Sequence, residues 1–210
     1  HMIKSQIDGI FQTPIYRTTL TQDLSKNQLL FINKGKKEKN TDRYGEGGNA
    51  ISSNMKILDE DIFKNIKQEL NLIVADYFEK IISPSDNITP YITQSWLNYM
   101  ETNQNHHVHE HPNSYLSGVL YINCHETLDK IQFYKNKYNA IQPSVKEYNH
   151  YNSNQWWFSV TTKDVIIFPS SLSHGVDPTK GSNTRISLSF NVFIKGTCGN
   201  HQEASELILK

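Results

Sequence analysis

The sequence predicts a mainly β protein with helices near its N-terminus, and three observations carry that reading. From Asp59 to Ile82, "DEDIFKNIKQELNLIVADYFEKII", apolar residues recur at three- and four-residue intervals (Ile62, Ile66, Leu70, Ile73, Val74, Tyr77 and Phe78) behind acids in the first turn, the pattern of an amphipathic helix. The segment "SPSDNITP" then interrupts the helical period. From Tyr91 onward short apolar runs follow one another between polar turns: "YITQSWLNYM", the histidine segment, "YLSGVLYIN", "KIQFYK", "QWWFSV", "DVIIFP" and "TRISLSFNVFI". Strands at that density after a helical preface predict a sandwich or small barrel with helices on one side.

The chain has 210 residues, enough for one domain with a full core. We divide it into a supporting N-terminal extension (1–90), a β core (91–196) and a tail (197–210). The segments Asn33–Asn49 and Asn136–Asn154 are polar and read as loops beside a site mouth. Lysine plus arginine balances aspartate plus glutamate at 21 each, so no net field calls for nucleic acid or an anionic membrane as an obligatory partner. No apolar stretch reaches the roughly 20 residues of a membrane helix, no signal-like segment opens the chain, and two cysteines make no disulfide framework. A soluble cytoplasmic protein with reduced thiols is expected.

The chemistry concentrates in "HHVHEHPNSYLSGVLYIN", where four of nine histidines fall within six residues. On a regular strand His107, His109 and His111 share one face, and His106, Val108 and Glu110 the other. Two same-face histidines can reach one metal, and His174, in "FPSSLSHGV", offers a third imidazole from a distant segment. A solvated polar strand would show the same His-x-His, so the spacing alone leaves both readings open. Eleven residues after His174, Arg185 and Ser187 share a face of "RISLSFN", and a guanidinium fork beside a hydroxyl suits a carboxylate. Tyr121 supplies a phenol from the "LSGVLYIN" strand.

The order His-x-His, "LSGVLYIN", "FPSSLSHGV", "RISLSFN", with "IFQTPIY" near the start, resembles the 2-oxoglutarate- and Fe(II)-dependent oxygenases related to prolyl 4-hydroxylases, many of them from phages and marine bacteria. The resemblance extends from about Trp96 to Phe193. It implies a double-stranded β-helix, a jelly-roll or cupin-like core with Fe(II) at its open end. It further implies His109, His111 and His174 as metal ligands, and Arg185, assisted by Tyr121 and Ser187, as the grip on the distal carboxylate of 2-oxoglutarate. The family usually carries Asp or Glu where this chain has His111, so a register using His107 and His109, or a role for Glu110, stays open at this point.

The activity implied is a dioxygenase that hydroxylates a substrate while 2-oxoglutarate is decarboxylated to succinate, in the host cytoplasm if the chain is phage-encoded. The substrate is unidentified and homodimer formation is open. Trp96 and Asn98, ahead of the ligands, and Asn113 and Ser114, after them, are candidates to line the substrate side. The rival from another class is a cupin-type metal protein, an isomerase or a non-catalytic small-molecule binder, which has no need of Arg185. A third reading is an interaction module that docks through Trp156 and Trp157.

Overall fold

The computed structural model describes residues 3–35, 37–39, 47–135, 141 and 143–210. In chain order it contains β1 (Tyr16–Thr19), α1 (Lys26–Lys34), β2 (Lys37–Lys39), β3 (Ala50–Ser52), 3-10 turns at Ile57–Asp59 and Asp61–Phe63, α2 (Lys64–Tyr77) and a π-helical turn (Phe78–Ile82). The rest is strand: β4 (Ile88–Met100), β5 (His106–His109), β6 (Leu116–Asn123), β7 (Lys130–Tyr134), β8 (Gln155–Ser159), β9 (Asp164–Pro169), β10 (His174–Val176), β11 (Arg185–Cys198) and β12 (Leu207–Leu209).

These strands form two antiparallel sheets. The larger has the order β1-β9-β6-β11-β4-β3-β2, with β12 also on β11, and the smaller β5-β10-β7-β8. Alternation along the large sheet sorts its side chains between two apolar clusters. One face, with Leu97, Tyr99, Leu120, Val165, Ile167, Leu188 and Val192, packs on Ile32 of α1 and on Ile66, Leu70, Val74 and Tyr77 of α2. The other face, with Val119, Tyr121, Ile166 and Phe168, meets Ile131 and Phe133 of the small sheet. Burial of each such side chain contributes roughly 1.5–3 kcal/mol. The helices therefore back the large sheet, and the space between the sheets is left for the site.

The expected helix over Asp59–Ile82 is present but begins as 3-10 turns, becomes α-helical only at Lys64 and ends in a π turn. Helix α1 was not anticipated, although Ser25 and Gln28 form a capping box: Ser25 Oγ accepts from Gln28 N at 3.2 Å and Gln28 Oε1 from Ser25 N at 2.7 Å. The Gln28 amide also donates to Ile62 O (2.7 Å) and Asn65 Oδ1 (2.8 Å), tying α1 to α2. The loop expected at Asn33–Asn49 lies partly outside the described residues. Within them Lys37–Lys39 is a strand and Asn49 is buried, because β2 extends the sheet through β3. The loop expected at Asn136–Asn154 likewise lies in part outside them.

Gly118 on β6 is a point where packing sets the sequence. A Cβ there would come within 2.1 Å of the Phe190 ring across the β6–β11 pair. We expect Gly118→Ala to destabilise by about 1–3 kcal/mol through overpacking. Thermal unfolding of the variant should show a midpoint several degrees lower; an unchanged midpoint would mean that the ring moves aside freely.

Candidate metal centre

The two sheets bring the predicted histidines together by strand pairing. Strands β5 and β10 are antiparallel with His109 directly opposite His174, and β10 is held on its other side by β7, with His174 opposite Phe133. His111 lies two residues past His109, where its backbone N–H donates to Ser170 O at 3.0 Å. One ligand nitrogen from each of His109, His111 and His174 lies within 4.8 Å of the others, and the Nε2 atoms of His111 and His174 are 3.3 Å apart. That separation is close to the spacing of two imidazoles on adjacent positions of one ion, given metal–nitrogen bonds of about 2.1 Å.

The outward nitrogens are committed. His109 Nδ1 lies 2.8 Å from His107 O and His174 Nδ1 2.9 Å from Leu172 O. A carbonyl oxygen only accepts, so each Nδ1 carries the proton and each Nε2 presents a lone pair to the centre, the arrangement by which metal-bound imidazoles are oriented. A proton on His111 Nε2 can bridge to His174 Nε2 across 3.3 Å, and a cation held between the two nitrogens would take that proton's place. The donor set therefore fits a divalent transition metal.

The site is dry enough to keep these rings neutral. Burial, with smaller contributions from neighbouring imidazoles, pushes His111 down to about 4 and His174 down to about 3. Burial also lowers His109, against the opposing pull of its bond to His107 O and of Glu110. An unfolded chain takes up protons on these residues as pH falls through about 6.5, whereas the folded metal-free chain resists until about 4 to 3. Their stabilising effect is therefore complete above pH 6.5 and is lost as pH falls through that window. Urea midpoints of chelator-treated protein should fall from pH 7 to pH 5; a constant midpoint would show that the rings are not held neutral.

Strict alternation failed at His106. The β5–β10 register shifts between His174↔His109 and Val176↔His106, so two residues of β5 span what one residue spans on β10. The bulge turns His106 to the cleft, where its ring stacks on His109 at 4.5 Å, rather than to the far face with Val108 and Glu110. His106 keeps some exposed surface, yet its ring lies deep enough for desolvation to hold its pKa well below the ordinary value. His106, His107 and His109 make a second close group, so the alternative register has a structural counterpart. All three of its rings are only half-buried, whereas the group of His109, His111 and His174 includes the buried His174. Glu110 is exposed and accepts from Ser173 Oγ.

A cleft runs from the histidines to Arg185 and is lined also by Trp96, Asn98, Tyr121 and Ser187. Pairing of Ser187 with Tyr121 on β6 and Asn98 on β4 sets these three side by side on the inner face. Arg185 is 3% exposed; its Nη1 donates to Lys130 O at 3.0 Å, and no ion pair to it occurs among the described residues. The Tyr121 hydroxyl is buried without a hydrogen-bond acceptor or donor at bonding distance. Burial pushes its pKa up, opposed by the nearby guanidinium. A buried cation without a counter-ion beside an orphaned hydroxyl is costly, and a bound carboxylate satisfies both.

The other candidates divide. Trp96 stands 5.5 Å from the His111 ring, and Asn98 is tied to Ser189 Oγ (2.9 Å) and Asn49 (3.2 Å). Ser114 is turned into a chain of hydroxyls, accepting from Ser170 Oγ at 2.8 Å while Ser170 meets Ser117 Oγ at 2.9 Å. Asn113 is exposed, with φ of 56°, and is not part of the cleft lining: it is a turn residue, suited to that backbone by its short polar side chain. Ser117, Ser189 and His106 line the cleft and were missed. Continuing the alternation of Tyr121 back along β6 and of Arg185 forward along β11 reaches the two serines; no local pattern reveals the bulge that turns His106.

Residues 94–191 match the family model described as Putative 2OG-Fe(II) oxygenase. The match covers a little under half of the chain, and 2-oxoglutarate and Fe(II), the cofactors expected from the sequence, are those the family is named for. No curated protein sequence matches the chain. The fold is shared with solved 2OG-Fe(II) oxygenases. An oxidoreductase of that family from Burkholderia pseudomallei aligns at 13% identity over 84% of this chain and 83% of its own, TM-score 0.53. A prolyl-4-hydroxylase from Pseudomonas putida aligns at 10% identity over 85% and 92%, TM-score 0.57. HygX from Streptomyces hygroscopicus, solved with nickel and 2-oxoglutarate bound, aligns at 10% over 86% and 82%, TM-score 0.57. At such identities the likeness is one of fold.

Proposed function

We propose that the chain is a 2-oxoglutarate- and Fe(II)-dependent dioxygenase that hydroxylates a substrate, its two sheets forming the walls of a double-stranded β-helix. The observation that carries the reading is the cleft joining three clustered imidazoles to a buried arginine that has no ion pair among the described residues. Fe(II) and 2-oxoglutarate, when bound, supply oxidation by dioxygen coupled to decarboxylation of 2-oxoglutarate to succinate. The protein's own residues hold and orient. His109, His111 and His174 would hold the metal, His109 and His174 through Nε2 because carbonyl acceptors hold the proton on their Nδ1 atoms. Arg185, Tyr121 and Ser187 grip the far carboxylate. Val119, Ile131 and Phe168 along the cleft exclude water, which strengthens each charge interaction inside. Trp96 and Asn98 line the cleft where a substrate would approach; Asn113 and Ser114 serve the turn beside it.

The finer kinship, with prolyl 4-hydroxylase-like proteins of phages and marine bacteria, rests on the order of the motifs. Three neutral imidazoles leave the Fe(II) charge at +2, so that with the Arg185 guanidinium the site carries +3, of which the dianionic dicarboxylate offsets two. The test is succinate formation from 2-oxoglutarate by Fe(II)-loaded protein under air with no added substrate. Slow succinate production that requires both metal and oxygen is expected. Tight metal binding without any 2-oxoglutarate consumption would favour the cupin-type binder.

A further inference from the structure

A second cavity adjoins the cleft at Arg185 and Val176. Arg185 and Val176 line both spaces, so these two residues stand where the spaces meet. We propose that this cavity is a separate passage by which the dicarboxylate reaches and leaves Arg185, so that it exchanges while a substrate covers the histidine end. The proposal rests on the oxygenase reading above.

The cavity is built rather than a gap under a loose loop. Gln132 and Asp177 bond reciprocally, Gln132 Nε2 donating to Asp177 Oδ2 at 2.8 Å and Asp177 N to Gln132 Oε1 at 3.1 Å, which fastens the 177–180 segment to β7. Thr179 anchors the same segment, donating from Oγ1 to Glu101 O at 2.7 Å and from N to Gln104 O at 3.0 Å. The charges favour an anion. The lining carries three cations, Lys130, Lys180 and Arg185, against two acids, Asp129 and Asp177, a net of +1; the acids accept from Gln132 and from the His125 N–H at 2.7 Å, which holds them in place and leaves their charge. Lys180, exposed on the rim, has no ion pair among the described residues, and Arg185 stands where the cavity meets the cleft. A carboxylate entering here moves from a surface lysine to a buried guanidinium, a gradient that steers anions inward.

A passage differs from a binding determinant in its kinetic signature: obstructing it slows entry and exit together and leaves affinity alone. The probe is radiolabelled 2-oxoglutarate on nickel-loaded protein, with release followed after dilution into unlabelled compound and Kd measured by calorimetry. Leu128→Trp, at a half-exposed lining position, should slow release at least roughly fivefold with Kd unchanged within about twofold, whereas ordinary affinity changes appear in release alone. Lys180→Glu should lower the association rate, more strongly at low salt. Wild-type release in Leu128→Trp together with a wild-type association rate in Lys180→Glu would overturn the passage while leaving the oxygenase reading intact. Absence of 2-oxoglutarate binding to the wild type would overturn both.

Discussion

Replacing Arg185 by lysine is expected to weaken 2-oxoglutarate binding by roughly 10- to 100-fold without loss of metal. The lysine keeps the charge but loses the planar fork, and a hydrogen bond to a charged group is worth about 1.5–3 kcal/mol, or about one to two powers of ten. Arg185→Ala should bind more weakly still. It also leaves the Lys130 carbonyl without the donor it has at 3.0 Å and opens a gap in a side chain that is 3% exposed, so its unfolding midpoint should drop as well. Calorimetric titration of 2-oxoglutarate into nickel-loaded wild type and Arg185→Lys decides the matter. Equal affinities would remove the guanidinium from the site and return weight to a cupin-type binder.

The second large effect concerns the metal. Alanine at His109, His111 or His174 should weaken metal binding by more than about 100-fold, since even residues that merely orient a ligand cost 10- to 100-fold when lost. His107→Ala should bind nearly as wild type, because what His107 gives the centre is its backbone carbonyl, 2.8 Å from His109 Nδ1, and that survives the substitution. Full metal content in His111→Ala with loss in His107→Ala would place the ion in the neighbouring histidine group instead.

Much of this site was legible because strand alternation is a strong local rule. Arg185 and Ser187 share a face wherever β11 pairs regularly, and the apolar partners Ile186 and Leu188 pin that face by packing on the helices. A continuous apolar run between polar turns, as in Asp164–Pro169, is equally plain. What failed to show depends on distant partners. The β5–β10 bulge that turns His106 inward is a property of two strands meeting, not of either alone. Strand β10 is three residues long, and helix α1 offers Ile32 as its one buried apolar side chain, so neither carries enough pattern to read. The orphaned Tyr121 hydroxyl and the second cavity beside Arg185 exist only once the sheets are assembled.

The most direct measurement of the central claim is anomalous diffraction from crystals grown with nickel and 2-oxoglutarate. One metal peak is expected about 2.1 Å from the Nε2 atoms of His109, His111 and His174, with the distal carboxylate of 2-oxoglutarate on Arg185 and the Tyr121 hydroxyl. A metal peak on His106 and His107, or a dicarboxylate that leaves Arg185 untouched, would contradict it.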